Sequence, residues 1–227
     1  WLSPVPGRSP PPPADAALTF AQASNAGAPA AYALCRPPGH HVGPSAYGGS
    51  CYLNNAAIAA QALRDSGAQR VAVLDLDAHH ANGTQAIFYD RGDVYVGSVH
   101  VDPGAGWFPH YSGFAGERGT GEGRDANRNV PLAPGTADAD WLTAVAVLCD
   151  DARAHAADAI VVSLGLDAAA TDPESPLRVS ADAYRQAGEQ VGLLAPAVVV
   201  QEGGYDLATL GELAVAALSG VWMAACS

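Results

Sequence analysis

Val71-Ala-Val-Leu-Asp-Leu-Asp-Ala-His-His-Ala-Asn-Gly-Thr84 is the stretch that decides how this chain folds. Its apolar start shows no polar alternation, which reads as a strand buried on both faces. The run then meets Asp75, Asp77, His79 and His80. Residues i, i+2 and i+4 of a strand share a face, so Asp75, Asp77 and His79 point one way if the extended geometry persists. Imidazole with carboxylate suits zinc, iron or manganese, and a carboxylate behind the ligands can orient them. Taken alone, the segment would serve as well as an acidic turn with a solvated histidine pair. The rest of the chain weighs against that.

Strands and helices alternate on both sides of this segment. Helices are expected over residues 14–26, 54–65 (ended by Gly67), 138–156, 180–194 and 207–223, and strands over 31–35, 71–77, 93–99, 159–166 and 197–201. Residues 36–49 are rich in Pro and Gly and read as loop. Residues 101–133 read as one long loop of Gly, Pro and aromatics, a length that is usually functional in a compact domain. Apolar strands separated by helices imply a single three-layer α/β domain, a mostly parallel sheet flanked by helices. No repeat and no second domain is visible. Residues 1–13 form a Pro-rich, extended lead, and residues 14–227 the domain. In such sheets ligands bind at the carboxyl ends of the strands.

Composition narrows the function. The chain has 227 residues, 49% hydrophobic and 15% charged, which is globular rather than disordered. A net charge of -12 argues against a nucleic-acid partner and is compatible with cationic substrates. Cys35, Cys51, Cys149 and Cys226 are scattered, with no paired motif, which points to a reducing, cytoplasmic setting. No apolar run is long enough for a bilayer, so no membrane partner is expected. The chain starts at Trp1 and its single Met is Met223, so it is expected to be processed or truncated.

Each expected strand delivers polar residues at its carboxyl end. These are Arg36-Pro-Pro-Gly-His-His41, the Asp75/Asp77/His79 group, Ser98-Val99-His100, Gly165-Leu-Asp167 and Gln201-Glu-Gly-Gly-Tyr205. Such convergence on one rim describes an assembled site. Asp77, His79 and Asp167 would supply three metal ligands and leave an open position. A metal so held acidifies water and polarises a carbonyl. His40 or His41 could take the proton and return it to a leaving amine. Tyr205 could donate to the developing oxyanion, with Gly203 and Gly204 allowing close approach. The sum is metal-assisted amide hydrolysis.

These motifs, with Cys51-Tyr-Leu-Asn-Asn55 and Phe108-Pro-His-Tyr111, resemble the histone deacetylase superfamily, from about residue 14 to about 220. The Arg36 lead and Asn82 resemble its class II and bacterial members, and the blocks ending in Tyr111, Asp167 and Tyr205 are most similar to acetylpolyamine amidohydrolases. The resemblance implies an arginase/deacetylase-like fold lacking its N-terminal part. It implies one zinc ion on Asp77, His79 and Asp167. His41 becomes the main general base and acid, His40 its electrostatic partner, Asp75 and Asn82 their orienting groups, and Tyr205 the carbonyl-polarising residue. It also implies a structural potassium ion near Asp75, Asp77, His79, Ser98 and Val99. Gly49 and Phe108 match substrate-tunnel walls. Ser50 departs from the usual aromatic and would widen that tunnel. Glu174 resembles a gatekeeper that selects a cationic amine, though a plain surface acid is an equal reading. The implied substrate is an acetylpolyamine or an acetyl-lysine peptide, and a homodimer is compatible.

Two other readings stand beside this one. Asp77-Ala-His79 also resembles arginase-like ureohydrolases with two manganese ions, but the further bridging acids are missing. A non-catalytic binding module of the same family is the third. Among the remaining residues, His100 and His110 are expected to be structural, His155 uninvolved, Trp107 and Tyr111 hydrophobic loop anchors, and Cys51 part of the core. Gly119 to Gly123 lacks the residues of a phosphate loop.

Overall fold

The computed structural model describes residues 13–25 and 27–227. Its sheet has six strands, all parallel: β1 (Ala30–Ala33), β2 (Val71–Asp75), β3 (Val94–Val101), β4 (Asn127–Leu132), β5 (Ala159–Leu164) and β6 (Ala197–Gln201). Their spatial order is β1-β6-β5-β2-β3-β4. The helices are α1 (Pro13–Asn25), α2 (Asn55–Asp65), α3 (Asn82–Phe88), α4 (Asp138–Ala154), α5 (Ala181–Gly192) and α6 (Leu210–Ala225).

Side-chain alternation explains the three layers. In β2, Val71 and Val73 face a core shared with α1, α2 and Phe88 of α3. Ala72 and Leu74 face the opposite core, shared with α4, α5 and α6. All five residues of β2 are buried, as they are in β5 and β6. That is why these strands carry no polar alternation. The helices are capped where the sequence permits: Asn54 accepts from the Ala57 N–H at the start of α2, and Ser180 from the Ala183 N–H at the start of α5.

The order of strands places the site. From β2 the chain proceeds through β3 and β4 to one edge of the sheet, and from β5 through β6 toward the other. β2 and β5 are neighbours, with Asp75 in register with Ser163. Their carboxyl ends flank the crevice at which open α/β sheets bind ligands.

Several expectations need correction. β2 ends at Asp75, two residues early, because the Asp75 side chain accepts the Asp77 N–H (3.1 Å) and turns the backbone there. β3 runs on to Val101, because β4 pairs with it as far as Leu132. β4 itself lies inside the segment expected to be loop. Its sequence, Asn-Arg-Asn-Val-Pro-Leu, has no apolar run, and its buried Asn127 and Asn129 amides instead donate to Gln85 Oε1 (3.0 and 2.9 Å). α3 was not expected: it is seven residues long and has no side-chain cap. α6 starts at Leu210, three residues late, since the Asp206 carbonyl and carboxylate hold residues 208–210 in a turn. Pro13 opens α1 rather than closing the lead, and the remainder of that lead lies outside the described residues. Among the described residues no helix is long and apolar enough to cross a membrane.

Candidate metal centre and active site

Asp77 and His79 follow β2, and Asp167 follows β5, so the β2–β5 pairing brings them together. Their donor atoms lie within 4.8 Å of one another. His79 Nδ1 is 2.9 Å from Asp167 Oδ2 and 3.2 Å from Asp77 Oδ1. Ligand atoms about 2.0–2.2 Å from a tetrahedral metal stand about 3.3 Å apart, so the three donors fit one ion. The backbone aims them: the Ala78 N–H donates to Asp167 Oδ1 (2.9 Å), and the Gly203 N–H to Asp77 Oδ2 (2.8 Å). Burial and the charge of Asp77 push Asp167 up to about 7. Burial works against a charged His79, but Asp167 and Asp77 outweigh it and raise the imidazole to about 11. Both shifts express an excess of buried negative charge that a cation would neutralise.

Gly203 is required by this packing. A Cβ there would lie 2.6 Å from Asp77 Oδ2 and 2.7 Å from Asp167 Oδ2. Gly203→Ala is therefore expected to spread the two carboxylates and weaken metal binding by about 10-fold or more, the scale of losing a ligand-orienting partner. Competition against a chelator measures this, and unchanged affinity would show that the site relaxes freely.

The two histidines sit beside the centre. His40 Nδ1 donates to Asp75 Oδ2 (3.1 Å), and His40 Nε2 is 3.8 Å from Asp77 Oδ1. Burial opposes its charge, yet Asp77 and Asp75 raise it to about 10. His41 Nδ1 donates to Asn82 Oδ1 (2.7 Å), leaving Nε2 with its lone pair. Burial and then the neighbouring His40 charge lower His41 to about 3. The two imidazoles are thus shifted in opposite directions. The His41 ring is 6.2 Å from that of His79, and Phe108 packs edge-on against it at 4.8 Å. On the other flank, a Cβ at Gly49 would meet His41 Cδ2 at 2.1 Å. Gly49 and Phe108 therefore wall in His41, with Ser50 exposed beside them in a left-handed conformation (φ 61°). A groove of about 640 Å³ runs along Tyr47 and Tyr111 and meets the site at His41, Asn82 and Phe108.

Tyr205 is part-exposed, and the charges of Asp77 and Asp167 add to burial in raising its pKa. Ser98 stands in register with Asp75, its hydroxyl 2.8 Å from His100 Nδ1, and Val99 is buried next to it. Glu174 is exposed, on a turn whose N–H is held by Asp172. Gly204 packs on Leu166 and Leu210 rather than toward the carboxylates.

His80 turns away from the metal centre, with Nε2 3.1 Å from Gln85 and from Asn129. His100 is packed against the Gly113 carbonyl (2.8 Å), and Cys51 is buried. Trp107 packs on the main core. Tyr111 is not a hydrophobic anchor. It is 71% exposed, and its hydroxyl accepts from Asn82 Nδ2 (3.0 Å). Two buried acids were missed. Glu202 Oε2 accepts the N–H groups of Gly39 (2.6 Å) and His40 (3.1 Å), fixing the histidine loop to β6. Its place directly after an apolar strand was a signal. Asp172 accepts the Tyr205 N–H (2.7 Å), and nothing in its local sequence marks it.

Comparison with known proteins defines the class first. Residues 13–221 match the histone deacetylase domain, and the chain belongs to that family. The named relatives are narrower. The chain is 47% identical over 208 residues to acetylpolyamine amidohydrolase 1 of Pseudomonas aeruginosa, covering 91% of this chain and 60% of that protein. It is 50% identical over 198 residues to the acetylpolyamine amidohydrolase of Burkholderia pseudomallei, covering 87% and 58%. A crystal structure of acetylpolyamine aminohydrolase from Burkholderia pseudomallei superposes with a TM-score of 0.90 at 47% identity, covering 93% of this chain and 62% of that one. The chain thus spans about 60% of the length of these relatives.

Proposed function

We propose that this chain is the catalytic core of a zinc-dependent amidohydrolase that removes the acetyl group from a cationic amine, an acetylpolyamine in first place and acetyl-lysine in second. The observation that carries this reading is the meeting of the Asp77/His79/Asp167 cluster with an Asn82-oriented His41. The names of the relatives and the net charge of -12 support a cationic substrate.

A zinc ion on these three side chains would polarise the substrate carbonyl and acidify a water. His41 Nε2 takes the water's proton and returns it to the leaving nitrogen, while Nδ1–H stays on Asn82. His40 stands beside it with Nδ1 on Asp75, as the electrostatic partner of His41. Tyr205 donates its hydroxyl to that oxygen. Gly49 and Phe108 line the acyl passage, with Ser50 and Glu174 at its rim. Asp75, Asp77, His79, Ser98 and Val99 would hold a structural potassium ion, partly through backbone carbonyls. The binuclear manganese alternative is disfavoured: His80 is spent on Gln85 and Asn129, and Asn82 on His41.

The test is metal analysis with a side-by-side assay on N-acetylputrescine, longer acetylpolyamines and an acetyl-lysine peptide. About one zinc per chain with turnover of an acetylated amine is expected. Two manganese ions, or substrate binding without turnover at full zinc loading, would overturn the reading.

A further inference from the structure

Tyr205 takes no hydrogen bond through its hydroxyl from the described residues, and its side chain is 38% exposed. Its direction therefore depends on its backbone. On one side, Gly204 has φ +129° and is pressed against Leu166 and Leu210. On the other, the Asp172 carboxylate gathers the chain. Asp172 Oδ2 accepts the N–H groups of Tyr205 (2.7 Å) and Asp206 (3.2 Å). Its Oδ1 accepts the N–H of Glu174 (2.9 Å). The contact is reinforced alongside, where the Thr171 and Thr209 hydroxyls meet at 3.1 Å. Asp172 is only 7% exposed. A buried carboxylate is costly unless its oxygens are filled, and here three backbone donors fill them.

We propose that Asp172 is a positioning residue: it sets the Tyr205 phenol through the backbone of residues 205 and 206, and ties the Glu174-bearing turn to that same point. The claim rests on the reading of Tyr205 as the oxyanion donor. It adds a link between the turn that carries Glu174 and the group that polarises the carbonyl.

Asp172→Ala tests this, since it removes both oxygens and with them the contacts to Tyr205, Asp206 and Glu174. The expected result is a kcat about 10- to 10²-fold lower, bounded by the about 10²- to 10³-fold cost of losing an oxyanion donor outright. KM and metal content should change little. In a Tyr205→Phe background the same substitution should cost almost nothing. Independent roles would instead give the same loss in both backgrounds within about twofold, and that result overturns the proposal.

Amide hydrogen exchange supplies a readout apart from activity. The N–H groups of Tyr205 and Asp206 should lose protection in Asp172→Ala while those of β5 and β6 keep theirs. Unchanged protection at 205 and 206 also overturns the proposal. If the unaltered chain turns over no acetylated amine, the deacetylase reading fails, yet exchange still decides whether Asp172 holds this turn. Should Asp172→Ala not fold, Asp172→Glu keeps both oxygens but displaces them, and the same selective loss at 205 and 206 is expected.

Discussion

Asp167→Asn is expected to remove the metal and the activity together. The substitution keeps the shape and can still accept the Ala78 N–H. It removes one of three candidate ligands, and the amide has only one oxygen to share between the Ala78 N–H and an ion. Metal affinity should fall by more than the about 10- to 100-fold that follows loss of an outer-shell partner. Thermal unfolding should show the unaltered chain raised by excess zinc over chelator, and Asp167→Asn nearly indifferent to the change. Elemental analysis gives the metal content, and a full zinc equivalent on Asp167→Asn would remove Asp167 from the ligand set.

Tyr205→Phe is the second large effect. It removes one oxygen and leaves Gly204, Asp172 and the three ligands in place. The phenol is held well above its ordinary pKa by burial and by the charges of Asp77 and Asp167, so it remains a proton donor throughout the working range. In the proposed mechanism its hydroxyl matters when charge develops on the carbonyl oxygen and little before. The loss should therefore appear in kcat, at about 10²- to 10³-fold, with KM and zinc content nearly unchanged. Steady-state kinetics on an acetylated amine decides it, and wild-type turnover would remove Tyr205 from the mechanism.

Much of this was legible because the chemistry sits at the ends of apolar runs. β2, β5 and β6 are buried on both faces, so their sequences announce themselves, and the first polar residues after them are Asp77, Asp167 and Glu202. β4 and α3 were not legible. One is a strand whose buried side chains are amides, and the other is too short to show a helical period. Asp172 was hidden for a different reason. An acid whose partners are backbone N–H groups 33 and 34 residues away looks, in sequence, like any acid before a proline. Tyr111 misled because an aromatic in a loop suggests burial, whereas its use is a hydroxyl held by Asn82.

The hydrogen bond from the Ala78 N–H to Asp167 spans 89 positions, with β3, β4 and α4 between. No shorter piece of chain can bring the ligands together. Non-local parallel pairing forms slowly, because the loop between must close first. The metal centre is then a product of folding rather than its seed. A bound ion would act on the rate of unfolding and leave the rate of folding nearly untouched. In kinetic terms a metal held there would be a latch, engaged after the sheet has closed.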